Sequence, residues 1–143
     1  MAVQRHNIFY ALTFAGLLAG CVPDGETYAK SCATKLSHWR SEKDGIGHLL
    51  PVISISVSSA GRLSRTFRSN VSALSDVQLR EFMNWANSAI PQPQIVLEVA
   101  PDAPCDRVRT VRAIMDESAI CHGQYSLCSE GRNWRDWPLV GGP

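Results

Sequence analysis

The sequence predicts an α+β domain: a small mixed sheet of about four strands, two helices packed on one of its faces, and a short helix ahead of them. Three observations predict it. Pro51–Ser58 and Ile95–Val99 alternate with the period of two expected of a strand with one covered face. Ser75–Ile90 and Cys105–Ala119 instead repeat apolar residues every three or four positions, which is the helical period. The two patterns interleave along the chain. A helix between strands makes the connection a crossover, so part of the sheet is expected to be mixed rather than a simple meander.

Taken in order, Tyr28, Cys32, Leu36 and Trp39 share one helical face, and polar Ser41–Gly47 ends that short helix. In Pro51–Ser58, Ile53, Ile55 and Val57 point one way and Ser54, Ser56 and Ser58 the other. Ala60-Gly61 supplies a turn, since glycine tolerates positive φ. Leu63–Phe67 returns as a hairpin partner, and Asn70 and Ser72 break the run. Ser75-Asp76-Val77-Gln78 fits a capping box, with Asp76 suited to the positive helix start. Leu79, Phe82, Met83, Ala86 and Ile90 then form one apolar stripe, ended by Pro91 and Pro93. Ile95, Leu97 and Val99 make the second strong strand.

Pro101-Asp102-Ala103-Pro104 is a tight connection into the next helix, where proline suits the first turn. In Cys105–Ala119, Val108, Val111 or Arg112, and Met115 face inward. Asp106, Arg107, Arg109, Asp116 and Glu117 face water. Gly123 allows a turn, and Gln124–Cys128 is expected as a last strand through Tyr125 and Leu127. The tail from Gly131 to Pro143 carries Trp134, Trp137 and Pro138. It is too short for a domain and is expected to pack across the sheet edge rather than protrude.

The amino terminus supplies an address. Arg5 and His6 precede an apolar run from Ile8, which closes on Leu18-Ala19-Gly20-Cys21. This pattern reads as a bacterial lipoprotein signal peptide, cut before Cys21, with that cysteine carrying lipid. Of the alternatives, an ordinary secretory cut and an uncleaved membrane anchor, the second needs about 20 apolar residues, and this run stops at Pro23-Asp24-Gly25. One acyl chain binds a membrane marginally and several bind it firmly, so a lipoprotein cysteine implies stable attachment. Val22 rather than Asp after the lipidated residue points to the outer membrane over the inner, with the protein facing the periplasm. The chain therefore divides into a leader (1–20), a tether and short helix (21–50), a folded domain (51–130) and the Trp-containing tail (131–143).

Every acidic residue lies after the cut, and so does every basic one except Arg5, which leaves the mature chain formally neutral. A nucleic-acid partner would call for a basic stripe. Arg62, Arg65 and Arg68, interleaved with serine and threonine, read instead as a solvated strand or turn. Beyond Cys21 the cysteines are Cys32, Cys105, Cys121 and Cys128, an even set that in an exported chain argues for two disulfides. A helix from Cys105 to Cys121 would hold those two about 24 Å apart, too far for a bridge. Cys32 is then left to pair with Cys105 or with Cys128, and the first of these fits Cys121 with Cys128. A metal site of Cys121, His122 and Cys128 is the competing use of those residues.

The ordered pattern from Pro51 to about Cys128 resembles the periplasmic domain of the ExbD/TolR family. The strand Val52–Val57 with its Gly61 turn is followed by a helix through Leu74, Leu79 and Phe82, and then by the strand Ile95–Val99. Ala100-Pro101-Asp102-Ala103-Pro104 is similar to the family's acidic, proline-containing link. Val108, Val111 and Ile114-Met115-Asp116 look like its second helix. The resemblance implies an accessory domain of a proton-driven transport motor that pairs with a multi-helix stator protein, dimerises and in some members contacts peptidoglycan. The family's membrane helix carries a functional aspartate, and an intramembrane carboxylate normally signals function. Here no Asp or Glu lies between Ile8 and Gly20, and the four cysteines and the tail are additions to the pattern.

No catalytic set is legible. No serine sits in a G-x-S-x-G elbow, no glycine loop cradles phosphate, and Asp102 and Asp106 read as groups at a helix start. His38 beside Trp39, His48 in a polar link and His122 beside Cys121 do not by their spacing converge on a nucleophile. The expectation is a binding or scaffold protein without catalytic residues, cofactor or resident metal. Its partners would be the membrane, through Cys21, and an envelope protein complex, peptidoglycan or a second copy.

Overall fold

A computed structural model describes residue 32, residues 36–47, 49–122 and 125–140. The leader, Cys21, the tether, His48 and the Gly123 turn lie outside the described residues. Among the described residues, seven strands and two α-helices follow in order: β1 Ile46–Gly47, β2 Val52–Val57, β3 Leu63–Phe67, β4 Asn70–Leu74, α1 Asp76–Ser88, β5 Gln94–Val99, α2 Cys105–Asp116, β6 Cys128–Glu130 and β7 Leu139–Val140. Five of the strands form one sheet in the order β4-β3-β2-β5-β6, and β1 and β7 pair separately. β2, β5 and β6 run parallel, while β3 is antiparallel to both its neighbours. The α+β class and the mixed sheet are as the interleaved periods predict.

Local chemistry fixes the ends of the elements. Gly61, at φ +72°, closes the β2–β3 hairpin with its amide on Ser58 O, a conformation costly for a residue with a Cβ. Ser75 caps α1: its Oγ accepts from the Gln78 amide at 3.2 Å, and Gln78 Oε1 accepts from the Ser75 amide at 2.8 Å. Arg107 half-buries itself between α1 and the hairpin, paired with Asp76 at 2.6 Å and donating to Gly61 O, so it does not simply face water as expected.

Both helices pack on one face of the sheet. Leu79, Phe82, Met83 and Ala86 of α1 and Val108, Val111, Ile114 and Met115 of α2 meet Ile53, Ile55, Val57, Ile95 and Leu97. The opposite face is covered too, which the alternation did not foretell. Trp137, from the tail, and Ile46 pack with Val96, against half-buried Val52 and Trp134. Ser54, expected on the open side of β2, is 2% exposed. The tail therefore packs across a sheet face rather than along an edge, anchored by β7 on β1.

Four further expectations need correction. Leu36–Trp39 forms a turn, not the end of a helix, and Trp39 is held in the core instead by tertiary contacts. β4 exists where Asn70 and Ser72 were read as breaks; it is an edge strand exposed on both faces, so it needs no apolar alternation. Ile90 lies beyond α1 and is 98% exposed, because the chain turns extended at Ala89, ahead of the Ile90–Pro91 bond; the residue before a proline avoids the helical region. The strand expected over Gln124–Cys128 is instead β6, Cys128–Glu130, and Tyr125 lies ahead of it, exposed.

Candidate functional site

The four cysteines of the folded part form two disulfides, Cys32–Cys105 and Cys121–Cys128, each with Cα atoms 4.8 Å apart. Of the pairings left open by the sequence, this is the one in which the helix-end cysteines bond away from each other. It also takes the thiolates out of any site built on Cys121, His122 and Cys128. What remains at that corner is a different cluster.

α2 ends at Asp116, and a 3-10 turn over Ala119–Cys121 folds the chain back so that His122 returns to the helix end. His122 Nε2 hydrogen-bonds the Asp116 carbonyl and lies 3.9 Å from Asp116 Oδ1. From far away in sequence, His38 Nε2 reaches the same Oδ1 at 2.5 Å. The two imidazoles stack, with centroids 5.1 Å apart and planes within 10°. The indole of Trp39 donates to that oxygen as well, at 3.1 Å.

The position of each member follows from packing. Trp39 is buried in the main core, which delivers His38 to the rim. The Arg40 amide donates to Cys128 O at 2.8 Å, fastening the segment to β6. The Cys121–Cys128 disulfide holds the residue before His122 to the same strand. Cations are stabilised at a helix C-terminus, where carbonyl groups concentrate negative charge. Burial pushes the Asp116 carboxyl up. The hydrogen bonds from His38 and Trp39 and the charges of His38 and His122 outweigh this and leave it below the usual carboxylate range.

Beside the cluster opens a groove of about 800 Å³, lined among others by Ser37, His38, Arg40, Asp44, Tyr125 and Leu127. Asp44 is held in place by Ser41, whose hydroxyl and amide donate to it at 2.7 and 2.5 Å. Those bonds keep its carboxyl below the usual range. Arg40 donates to Asp44 O at 2.6 Å.

Sequence reading noted His38 and His122 but not their meeting, and placed Asp116 simply in water. The spacing runs the helix on to Ala119, whereas it ends at Asp116, so the one local signal is that His122 follows a cysteine. The convergence depends on where β6 and residues 36–40 lie. Cys21 lies outside the described residues. Among the described residues, no helix is long and apolar enough to cross a membrane. No protein-family model, curated protein or solved structure matches this chain.

Proposed function

We propose that this protein is a lipid-anchored binding or scaffold module of the cell envelope, attached through acyl groups on Cys21 and facing the periplasm. It works by docking rather than by catalysis. The observation that carries the reading is Leu18-Ala19-Gly20-Cys21 at the close of a short apolar run. Its support is that Cys32, Cys105, Cys121 and Cys128 all pair, as suits a chain exported to an oxidising compartment. The partner surface on this reading is the β4 edge of the sheet, exposed along most of its length and open to strand addition by an envelope protein or a second copy.

Fatty-acid labelling in cells tests the anchor. Label on the native chain, lost in Cys21→Ser, and processing blocked by globomycin are expected. An intact leader with no label at Cys21 overturns it.

One observation favours a second reading, an accessory subunit of ExbD/TolR type with an uncleaved membrane helix. Strand, turn, helix, strand and helix follow one another over Val52–Asp116 in the order that the resemblance implies, although β3 and β4 intervene before the first helix and Leu74, read with that helix, lies in β4. Against it stands the lack of any acidic residue from Ile8 to Gly20 to carry protons. Recovery of a stator-type membrane protein in a pull-down, dependent on the native apolar leader, would favour this second reading over the first.

A further inference from the structure

We propose that His38, Asp116 and His122 form a binding site for a divalent transition metal, zinc foremost, through two imidazole nitrogens and one carboxylate oxygen. The inference stands apart from the lipid anchor and from the fold resemblance.

Geometry is the first support. One donor atom from each of the three residues lies within 4.8 Å of the other two. Zinc bonds nitrogen at about 2.0–2.1 Å and carboxylate oxygen at about 2.0–2.2 Å, so adjacent ligand atoms around a tetrahedral ion stand about 3.3–3.4 Å apart. The His38–Asp116 separation of 2.5 Å and the His122–Asp116 separation of 3.9 Å straddle that value. Shifts of about 1–1.5 Å at the side-chain ends convert the hydrogen-bonded cluster into a ligand set.

Preorganisation is the second support. The three ligands are each held before any ion arrives: Asp116 by α2 and the Trp39 indole, His122 by the disulfide at Cys121, and His38 by buried Trp39 and the Arg40–Cys128 backbone bond. A site whose ligands are already gathered loses little conformational freedom on binding. Electrostatics is the third. The Asp116 carboxylate, its carbonyl and the C-terminal end of α2 all favour a cation at this point. Imidazole with carboxylate suits zinc, copper, iron and nickel, and zinc imposes no d-electron geometry of its own. Three protein ligands leave one coordination position for water or a ligand. The half-exposed His122 and the adjoining groove keep that position open to solvent.

The test is calorimetric titration of zinc chloride into the full chain in detergent, without a polyhistidine tag, stripped by chelator and with both disulfides intact. One saturable equivalent is expected. His38→Ala and His122→Ala should each weaken it at least ten-fold, with His48→Ala unchanged. Circular dichroism identifies any variant that has lost its fold. Because Asp116 also holds Trp39, no Asp116 variant is used, and cobalt reads the coordination geometry: the intense visible bands of four-coordinate Co²⁺ should form with the native chain and disappear in folded His122→Ala. Binding that is weak and multiple, or as tight in folded His38→Ala and His122→Ala as in the native chain, means an adventitious ion only and overturns the proposal. So does the absence of saturable binding.

Discussion

Arg112 and Glu130 tie α2 to β6 with the two charged side chains best shielded from water among the described residues. Arg112 Nε donates to Glu130 Oε2 at 2.8 Å and its Nη2 to Oε1 at 2.6 Å, a two-pronged contact. Their side chains are 6% and 9% exposed. Glu130→Ala would leave the guanidinium buried without the carboxylate it was placed to meet. Breaking one side of a buried pair costs about 3–5 kcal/mol. Counting two lost charge-assisted bonds, at about 1.5–3 kcal/mol each, gives a similar range. Against a total of about 5–15 kcal/mol for a domain, that is a large share. At about 4 °C per kcal/mol for a chain of this size, Tm should fall by about 12–20 °C. The assay is thermal unfolding under non-reducing conditions, followed by tryptophan fluorescence. The Arg112→Leu/Glu130→Leu double variant should lose less than Arg112→Leu and Glu130→Leu lose together, giving a coupling of about 1.5–3 kcal/mol in the cycle those variants close. A drop under about 4 °C for Glu130→Ala, or single effects that simply add, would refute the argument that this pair acts as one buried unit.

Three further outcomes are expected. Phe82→Ala should cost about 3–5 kcal/mol in urea unfolding, since the ring is 5% exposed under Arg65 and beside Trp85; a change below about 1 kcal/mol would contradict the helix face assigned to it. Gly131→Ala should destabilise by about 1–3 kcal/mol and expose tryptophan to quencher, because a Cβ there would sit 2.4 Å from the Trp137 ring. Unchanged quenching would mean that the tail does not pack as described. Glu98 gives a pH signature. Burial holds its carboxyl above the usual range, against the pull of Arg135, Ser56 and Trp134. The folded state then binds the Glu98 proton more tightly than the unfolded state does. Its contribution to stability is therefore lost as pH rises from the ordinary glutamate range through the folded pKa. Glu98→Gln should flatten that decline in unfolding measured across acidic to neutral pH, and a steeper decline would reverse the sign argued here.

Elements that bury one face against helices were legible because burial imposes a period. Ile53, Ile55 and Val57, the Ser75 cap and the Leu79–Ala86 stripe could each be read from spacing. β4 could not, because an edge strand wet on both faces has no apolar period to display. Nor could the second covered face: Ser54 and Val96 are buried by Trp137 and its neighbours, and a tail that packs through two tryptophans leaves no repeat. The cysteine count gave the number of disulfides, and helix length removed one pairing, but the choice of Cys105 for Cys32 came only with the fold. The His38–Asp116–His122 cluster was the least legible part, since His38 and Asp116 are 78 residues apart and nothing local marks them as neighbours.

The Cys32–Cys105 disulfide has a mechanical meaning as well. It moves the point at which the N-terminal chain pulls on the domain from a sequence end to the first turn of α2. That turn lies close to the Gly61 hairpin and to the ends of β2 and β5. If Cys21 bears lipid, eleven residues make up the whole leash, and even fully extended they span about 36–40 Å. The domain would then patrol a shell one or two protein diameters deep over the bilayer, drawn by the corner where β5 hands over to α2. Cutting that single covalent knot would lengthen the leash without altering the anchor, widening the zone in which a partner can be met.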